Sequence, residues 1–262
     1  MDKQQAIGPL PESEEDKILL ARVYDRMTAA EQRNIPAATC FLSPREQVLV
    51  QKLLPQMELH FFGGCEGAER TVCCWIPDYY EPEGWLYSED GPVGAVRATF
   101  YEGDTLCHRD FLGALMGSGI KRETVGDLFV QTGRCDFLVT KEILPYVLQN
   151  LESAGRTKLH LQPLPLTELV PPVPQVKLVR DTVAALRLDS VVASGFGLSR
   201  SRAAQYVESG RTAVNALPCE KPDRQVTQGD RISVRGLGKI ELTEITGTTK
   251  KGRTGIVISR YV

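Results

Sequence analysis

No stretch constrains the folding of this chain more than residues 161–176, where Pro163, Pro165, Pro171, Pro172 and Pro174 crowd together. Each proline fixes φ and removes a backbone donor, so neither a helix nor a central strand passes through such a segment. The chain must fold in pieces on either side of it, and residues 163–181 read as a linker. A softer boundary lies at 77–94, rich in Pro, Gly, Tyr and acidic residues. The expected organisation is an N-terminal domain over 1–80, a middle domain over 81–162 and a C-terminal domain over 182–262, all of modest size.

Charge divides along similar lines. Residues 1–90 hold 8 Lys and Arg against 16 Asp and Glu, residues 91–181 hold 10 against 10, and residues 182–262 hold 13 against 7. A basic final third suggests a polyanionic partner at that end, since each cation that meets a phosphate releases condensed counterions. On composition alone, a merely solvated charged face accounts for it equally well. No run reaches the roughly 18 apolar residues of a membrane span. Residues 1–15 are polar and acidic, unlike a signal or transit peptide, so the expected compartment is the cytoplasm.

Seven cysteines, an odd number without a C-x-x-C pair, argue against a disulfide framework and a zinc ribbon. The one loose cluster, His60, Cys65, Cys73 and Cys74, makes a poor metal site because adjacent Cys73 and Cys74 point to opposite faces of a strand. No metal and no cofactor are expected.

In the first segment Ile18, Leu19, Val23 and Met27 have helical spacing over 14–34. Ser43, Pro44 and Glu46 announce a second helix as N-cap, first-turn proline and capping-box acid. Strands over 58–62 and 71–76, joined by the Gly-rich 63–67 turn, form a hairpin against these helices. The second segment reads as strand 95–101, helix 108–116, strands 127–131 and 135–140, helix 141–153 and strand 158–161. That β-α-β-β-α-β order is the ferredoxin-like arrangement that RNA-recognition domains also use, although their base-stacking aromatic strand motifs are absent. The third segment reads as helices over 182–194 and 199–209 around Gly195 and Gly197, then strands over 212–215, 231–235, 239–245 and 255–261. The fold class is α+β.

The chemistry concentrates in this third segment. Ser199 and Ser201 sit at a helix N-terminus, whose free N–H groups and dipole attract phosphate, with Arg200 and Arg202 on the same turn and Gln205 one turn on. Gly210 permits the left-handed turn that ends the helix, so that Val214 and Asn215 fold back beside it. Arg187, Arg211, Lys221 and Arg235 extend the basic surface, while Lys250, Lys251 and Arg253 occupy the tip of a hairpin suited to phosphate contact. Any one of these cations is more often a solvated or ion-paired surface residue; the set is what argues for RNA. In the middle segment Gly117, Gly119 and Gly126 bracket Lys121 and Arg122, two cations expected to be exposed as a second candidate contact.

Catalytic readings fail one by one. His108, Arg109 and Asp110 resemble a kinase catalytic loop, but the expected Asn is Leu115 and no D-F-G or Gly-rich phosphate loop is present. No G-x-G-x-x-G follows a strand, and three histidines leave general-base chemistry thinly supplied. Arg187, Leu188 and Asp189 before Ser194 and Gly195 resemble the catalytic stretch of one pseudouridine synthase family, with the spacing off by one. Asp189 is better explained as part of the first helix of the module, and the chain is not expected to be an enzyme.

Arg187 to Asp189, Leu198 to Arg202, Gly210 to Asn215, Lys221 with Pro222, and Val226 to Val234 resemble the S-four RNA-binding family throughout. Ala216 stands where that family usually has Gly, which leaves the turn type open. Upstream, Phe61 to Gly64, Ala68 to Arg70 and the 108–127 run HRDFLGALMGSGIKRETVGD look like the YlmH family of bacterial RNA-binding proteins, with Cys65 where Tyr is frequent. The resemblance spans nearly the whole chain. It implies a noncatalytic protein of three domains: an N-terminal helix-plus-hairpin domain, a ferredoxin-like (RNA-recognition-like) middle domain and a C-terminal S-four-type RNA-binding domain; a monomer is expected. It further implies ribosomal RNA and tRNA on the large subunit as partners, with links to rescue of stalled large subunits and to a cell-division gene neighbourhood. Two other classes stay open: an RNA-modifying enzyme of pseudouridine synthase or methyltransferase type, and a division-linked protein adaptor.

Overall fold

The Ser13 hydroxyl accepts the Asp16 N–H at 3.1 Å and so starts α2 (Glu14–Arg33), which follows the short α1 (Lys3–Ile7). The buried stripe of α2 is Asp16, Leu20, Val23, Met27 and Ala30, whereas Ile18 is 53% exposed. The stripe is rotated from the expected one because Asp16 faces inward to two guanidinium hydrogen bonds from Arg45, at 2.7 and 2.8 Å. After β1 (Ala37–Leu42), α3 (Pro44–Leu53) begins with the expected capping box, in which the Glu46 carboxylate accepts the Ser43 N–H at 2.6 Å. β2 (His60–Phe62) and β3 (Thr71–Trp75) form the expected hairpin, and β1 adds to it as an antiparallel sheet ordered β1-β3-β2. Cys73 and Cys74 do lie in different cores on the two sides of β3.

α4 (Pro82–Leu86) leads to β4 (Val93–Thr99), α5 (His108–Gly117), β5 (Val125–Gln131), β6 (Arg134–Thr140), α6 (Leu144–Asn150), the small β7 (Ser153–Ala154) and β8 (Thr157–Lys158) ribbon, and β9 (His160–Leu164). The four-stranded sheet is antiparallel in the order β5-β6-β4-β9, the ferredoxin-like pattern. Side chains alternate across it. Val96, Ala98, Cys135, Phe137 and Val139 pack with Phe111, Leu115 and Val147 of the helices. Val93, Ala95, Leu138 and Leu164 pack with Phe41, Phe62 and Val72 from the first segment and with Trp85 and Leu86 of α4. The expected separation at residue 80 is therefore bridged by a shared core, and residues 1–172 form one compact unit. Further along that second face, Arg97 makes a two-pronged pair with buried Asp136, each contact 2.7 Å.

The second unit, residues 173–262, begins with β10 (Val176–Val183), most of which lies in the stretch expected to be linker. The prolines end at Pro174, and Val176 onward is free to pair. The helix expected over 182–194 accordingly starts later, as α7 (Leu188–Phe196), followed by α8 (Arg200–Glu208), β11 (Thr212–Val214), β12 (Leu217–Pro218), β13 (Arg231–Val234), β14 (Gly238–Thr248) and β15 (Thr254–Tyr261). The six strands are ordered β10-β15-β14-β13-β11-β12. Leu188, Val191 and Val192 of α7 and Ala203 and Val207 of α8 pack on Ile232, Ile240, Leu242, Ile256 and Ile258, each large side chain contributing roughly 1.5–3 kcal/mol of burial. Gly195 permits this approach: a Cβ there would stand 2.7 Å from Ile240 Cδ1. Asn215 and Ala216, with φ of 51° and 68°, form the two-residue turn between β11 and β12, the type I′ geometry that matches strand twist. The computed structural model describes residues 3–8, 10–249 and 252–261, and among them no helix is long and apolar enough to cross a membrane.

Candidate nucleic-acid interface

The start of α7 is held by the loop at 222–226. Leu188 N–H donates to Arg224 O at 2.9 Å, Asp189 N–H to Pro222 O at 3.0 Å, and Val226 N–H to Leu186 O at 2.8 Å. Asp189 is thereby buried, its side chain 5% exposed, between two guanidiniums. Arg187 donates to its carboxylate at 3.2 and 3.3 Å, and Arg200, from the start of α8, donates at 3.0 Å. Burial pushes the carboxyl upward, but the hydrogen bonds from Arg187 and Arg200 outweigh it and hold the group below its ordinary range. An ionised carboxylate locked this way ties the two helix starts together and is a poor general acid. Arg187 and Arg200, expected as open cations, are thus partly neutralised within the fold.

Ser199 caps α8, its hydroxyl accepting the Arg202 N–H at 3.3 Å and lying 3.2 Å from the Ser201 hydroxyl. Arg202 stands exposed on that first turn and Gln205 on the next, and their side chains make no hydrogen bond or ion pair among the described residues. Tyr206, one turn beyond Arg202, lies under the Arg211 guanidinium at 5.9 Å from the ring centroid. Arg211 O accepts the Arg235 N–H at 2.8 Å, which sets the end of β13 beside the start of β11. Cys219 N–H donates to Thr212 O at 2.9 Å and brings Lys221 to the same end. Lys221 and Arg235 are exposed, again with no side-chain partner among the described residues. The fold therefore gathers Arg202, Gln205, Arg211, Lys221 and Arg235 into one basic surface beside the Asp189 cluster.

Other expected residues are otherwise engaged. The Asn215 side chain donates to Asp230 at 2.7 Å and accepts the Arg231 N–H at 2.9 Å, so it serves the hairpin turn. Arg253 donates to the Thr182 hydroxyl at 3.0 Å and to the Thr182 carbonyl, while Lys250 and Lys251 lie outside the described residues. Lys121 is exposed as expected. Arg122 is not: it is half-buried and donates to Val125 O at 2.5 Å, and burial lowers its pKa. Its neighbour Gly126 allows the close packing around it, since a Cβ there would meet the Phe41 ring at 2.7 Å.

Two residues escaped sequence reasoning. Tyr206 was legible as the residue four after Arg202 on one helix face. Arg70 had no local signal: its guanidinium donates to Phe41 O and Val125 O, both at 3.0 Å. Next to it, Asp127 accepts the Glu69 N–H at 2.6 Å and the Arg70 N–H at 3.2 Å. The 61–70 and 108–127 stretches are thereby joined in space.

Residues 101–168 match the family described as "Putative RNA-binding domain in YlmH", and residues 186–232 match the S4 domain. The small ribosomal subunit protein uS4 of Solibacter usitatus is 43% identical over 58 residues, 22% of this chain and 28% of that protein. Among solved structures, the chain titled cell division protein ylmH from Streptococcus pneumoniae overlaps with a TM-score of 0.49 at 22% identity, covering 61% of this chain and 97% of that one. The ribosome-associated protein quality control protein P2 of Bacillus subtilis is 35% identical over 225 residues, 85% of this chain and 86% of that protein. Identity of that order along most of both chains makes the two members of one family, and the present chain belongs to the YlmH family of proteins with a C-terminal S4 domain.

Proposed function

We propose that this protein is a noncatalytic, ribosome-associated RNA-binding factor that grips ribosomal RNA and tRNA on the large subunit, as a monomer, during the handling of stalled large subunits. The name of the Bacillus subtilis relative and the two RNA-binding family matches support the setting. The observation that carries the reading is the exposed surface of Arg202, Arg211, Lys221 and Arg235, none of which has a carboxylate within ion-pair distance among the described residues. A phosphate arriving there breaks no internal ion pair, and the capped N-terminus of α8 adds oriented N–H groups. Ser199 and Ser201 fix that helix start, Gln205 faces the same side, and Arg187 and Arg200 supply a second, partly neutralised layer of charge. Residues 182–262 are the RNA-gripping domain in this scheme, and the unit before it positions rather than reacts.

The test replaces Arg202 and Arg235 with Glu in the full chain and measures co-sedimentation with large ribosomal subunits, with and without nuclease. Binding lost on charge reversal and on nuclease treatment supports the proposal. Binding unchanged by the substitutions, or retained after nuclease, would instead favour a protein-directed adaptor.

A further inference from the structure

Within the first unit, α2, β1 and the turn at 122–123 enclose a cleft of about 410 Å³ whose lining includes four arginines, Arg22, Arg26, Arg70 and Arg122. Its apolar wall is formed by Leu19, Val23, Phe41 and Leu42. Three of the four, Arg22, Arg26 and Arg70, come from a segment with twice as many acids as cations, and Arg122 from a balanced one, so their convergence is not a matter of composition. Arg70 and Arg122 are half-buried and donate only to carbonyl oxygens; among the described residues neither has a carboxylate within ion-pair distance. Arg22 and Arg26, one helical turn apart at the rim, are exposed and have no side-chain partner among the described residues. The acids of the cleft are Glu46, whose carboxylate is occupied by the Ser43 N–H at 2.6 Å, and Glu123, which is exposed. A third carboxylate, Asp127, acts on both Arg70 and Arg122 from beside the cleft, and three acids against four guanidiniums still leave a net positive site.

Partly buried charges are ordinarily paired, because removing them from water is costly without an opposite charge. Arg70 and Arg122 each weaken in basicity from desolvation, and Arg122 also from the nearby Arg70. An anion entering the cleft relieves both effects. Guanidinium forks match phosphate oxygens two at a time, and the apolar wall suits the flat face of a base. We propose that this cleft binds a phosphorylated nucleotide unit, its phosphate among Arg22, Arg26, Arg70 and Arg122 and its base against Leu19, the partly exposed member of the apolar wall. The site is separate from the C-terminal basic surface and stands or falls independently of it.

Cys40 also lines the cleft and is half-buried, whereas Cys107 is exposed elsewhere. The experiment follows alkylation of both thiols by iodoacetamide in the full chain, by peptide mass spectrometry, with AMP, a 5′-phosphorylated hexaribonucleotide or adenosine added. A several-fold slowing at Cys40 relative to Cys107 is expected with a phosphorylated ligand, and is expected to vanish in an Arg22→Glu, Arg26→Glu variant whose melting temperature is unchanged. Slowing by AMP identifies a free nucleotide as sufficient; slowing by the hexaribonucleotide alone identifies an RNA chain as the source. The same protection must persist when Arg202 and Arg235 are replaced by Glu, which removes the C-terminal surface from the readout. No slowing by any phosphorylated ligand, equal slowing by adenosine, protection that survives the Arg22 and Arg26 reversal, or protection that disappears with the C-terminal reversal would overturn the proposal.

Discussion

Arg200 and Arg202 are two residues apart at the start of one helix, yet the structure gives them different work, and replacing each with Gln separates the two. The Arg202 side chain is exposed with no partner among the described residues, so Arg202→Gln should leave unfolding free energy within about 0.5 kcal/mol of the parent. If Arg202 meets a phosphate, its loss reduces the slope of log K against log salt by about 0.7–0.9. Between a 1 M reference and 0.15 M salt, that slope amounts to a loss on the order of fivefold in affinity at the lower salt, fading as salt rises. Arg200 donates to the buried carboxylate of Asp189 while remaining 56% exposed itself. A hydrogen bond to a buried charge is worth about 1.5–3 kcal/mol. Solvent screening of the exposed arginine, and the retained Arg187 contact, reduce the expected cost of Arg200→Gln to about 1 kcal/mol. Urea unfolding reads the first quantity, and fluorescence anisotropy on a ribosomal RNA fragment across a salt series reads the second. An unchanged salt slope for Arg202→Gln, or an undiminished stability for Arg200→Gln, would refute the division of labour.

Two further outcomes follow from the same domain. Ala216 has φ of 68°, a left-handed conformation that costs an alanine about 1–2 kcal/mol and a glycine little, although glycine gives back about 0.5–1 kcal/mol in unfolded-chain entropy. Ala216→Gly should therefore stabilise the C-terminal unit by roughly 0.5–1 kcal/mol, a few degrees in melting temperature by calorimetry; a lower melting temperature would show that the turn is not strained. Asp189 has a folded pKa below its unfolded value, so its contribution is complete above about pH 5, where the unfolded carboxyl is fully ionised, and is lost as pH falls through the folded pKa. Asp189→Asn should reduce stability at neutral pH and flatten the acid limb of the stability profile; a limb of unchanged steepness in acid titration of the two proteins would exclude that role.

Local signals made much of this architecture readable. Ser43, Pro44 and Glu46 and the cap at Ser199 name their helices because capping is chemistry within four residues. The ferredoxin-like order was legible because its strands and helices change hydrophobic period in turn. β1 was missed: Ala38, Thr39, Phe41 and Leu42 are all buried, so the strand lacks the alternation of a half-exposed one. β10 was hidden by the prolines preceding it, and its pairing with β15 is a contact across more than seventy residues. At the interface, the set of cations was legible, but which of them are free was not. That Arg187 and Arg200 converge on Asp189, that Arg253 reaches Thr182 and that Arg122 turns inward are tertiary facts without a local pattern.

The shared core beneath β4 and β6 dictates how this protein can be dissected. A fragment beginning at residue 81 would carry all the strands of the middle sheet but would bare Val93, Ala95, Leu138 and Leu164, the apolar side that Phe41, Phe62 and Val72 otherwise cover. Exposed patches of that kind self-associate, so insolubility of such a piece would report its missing lining and say nothing about affinity for RNA. The same lining closes the face on which related sheets read unpaired bases.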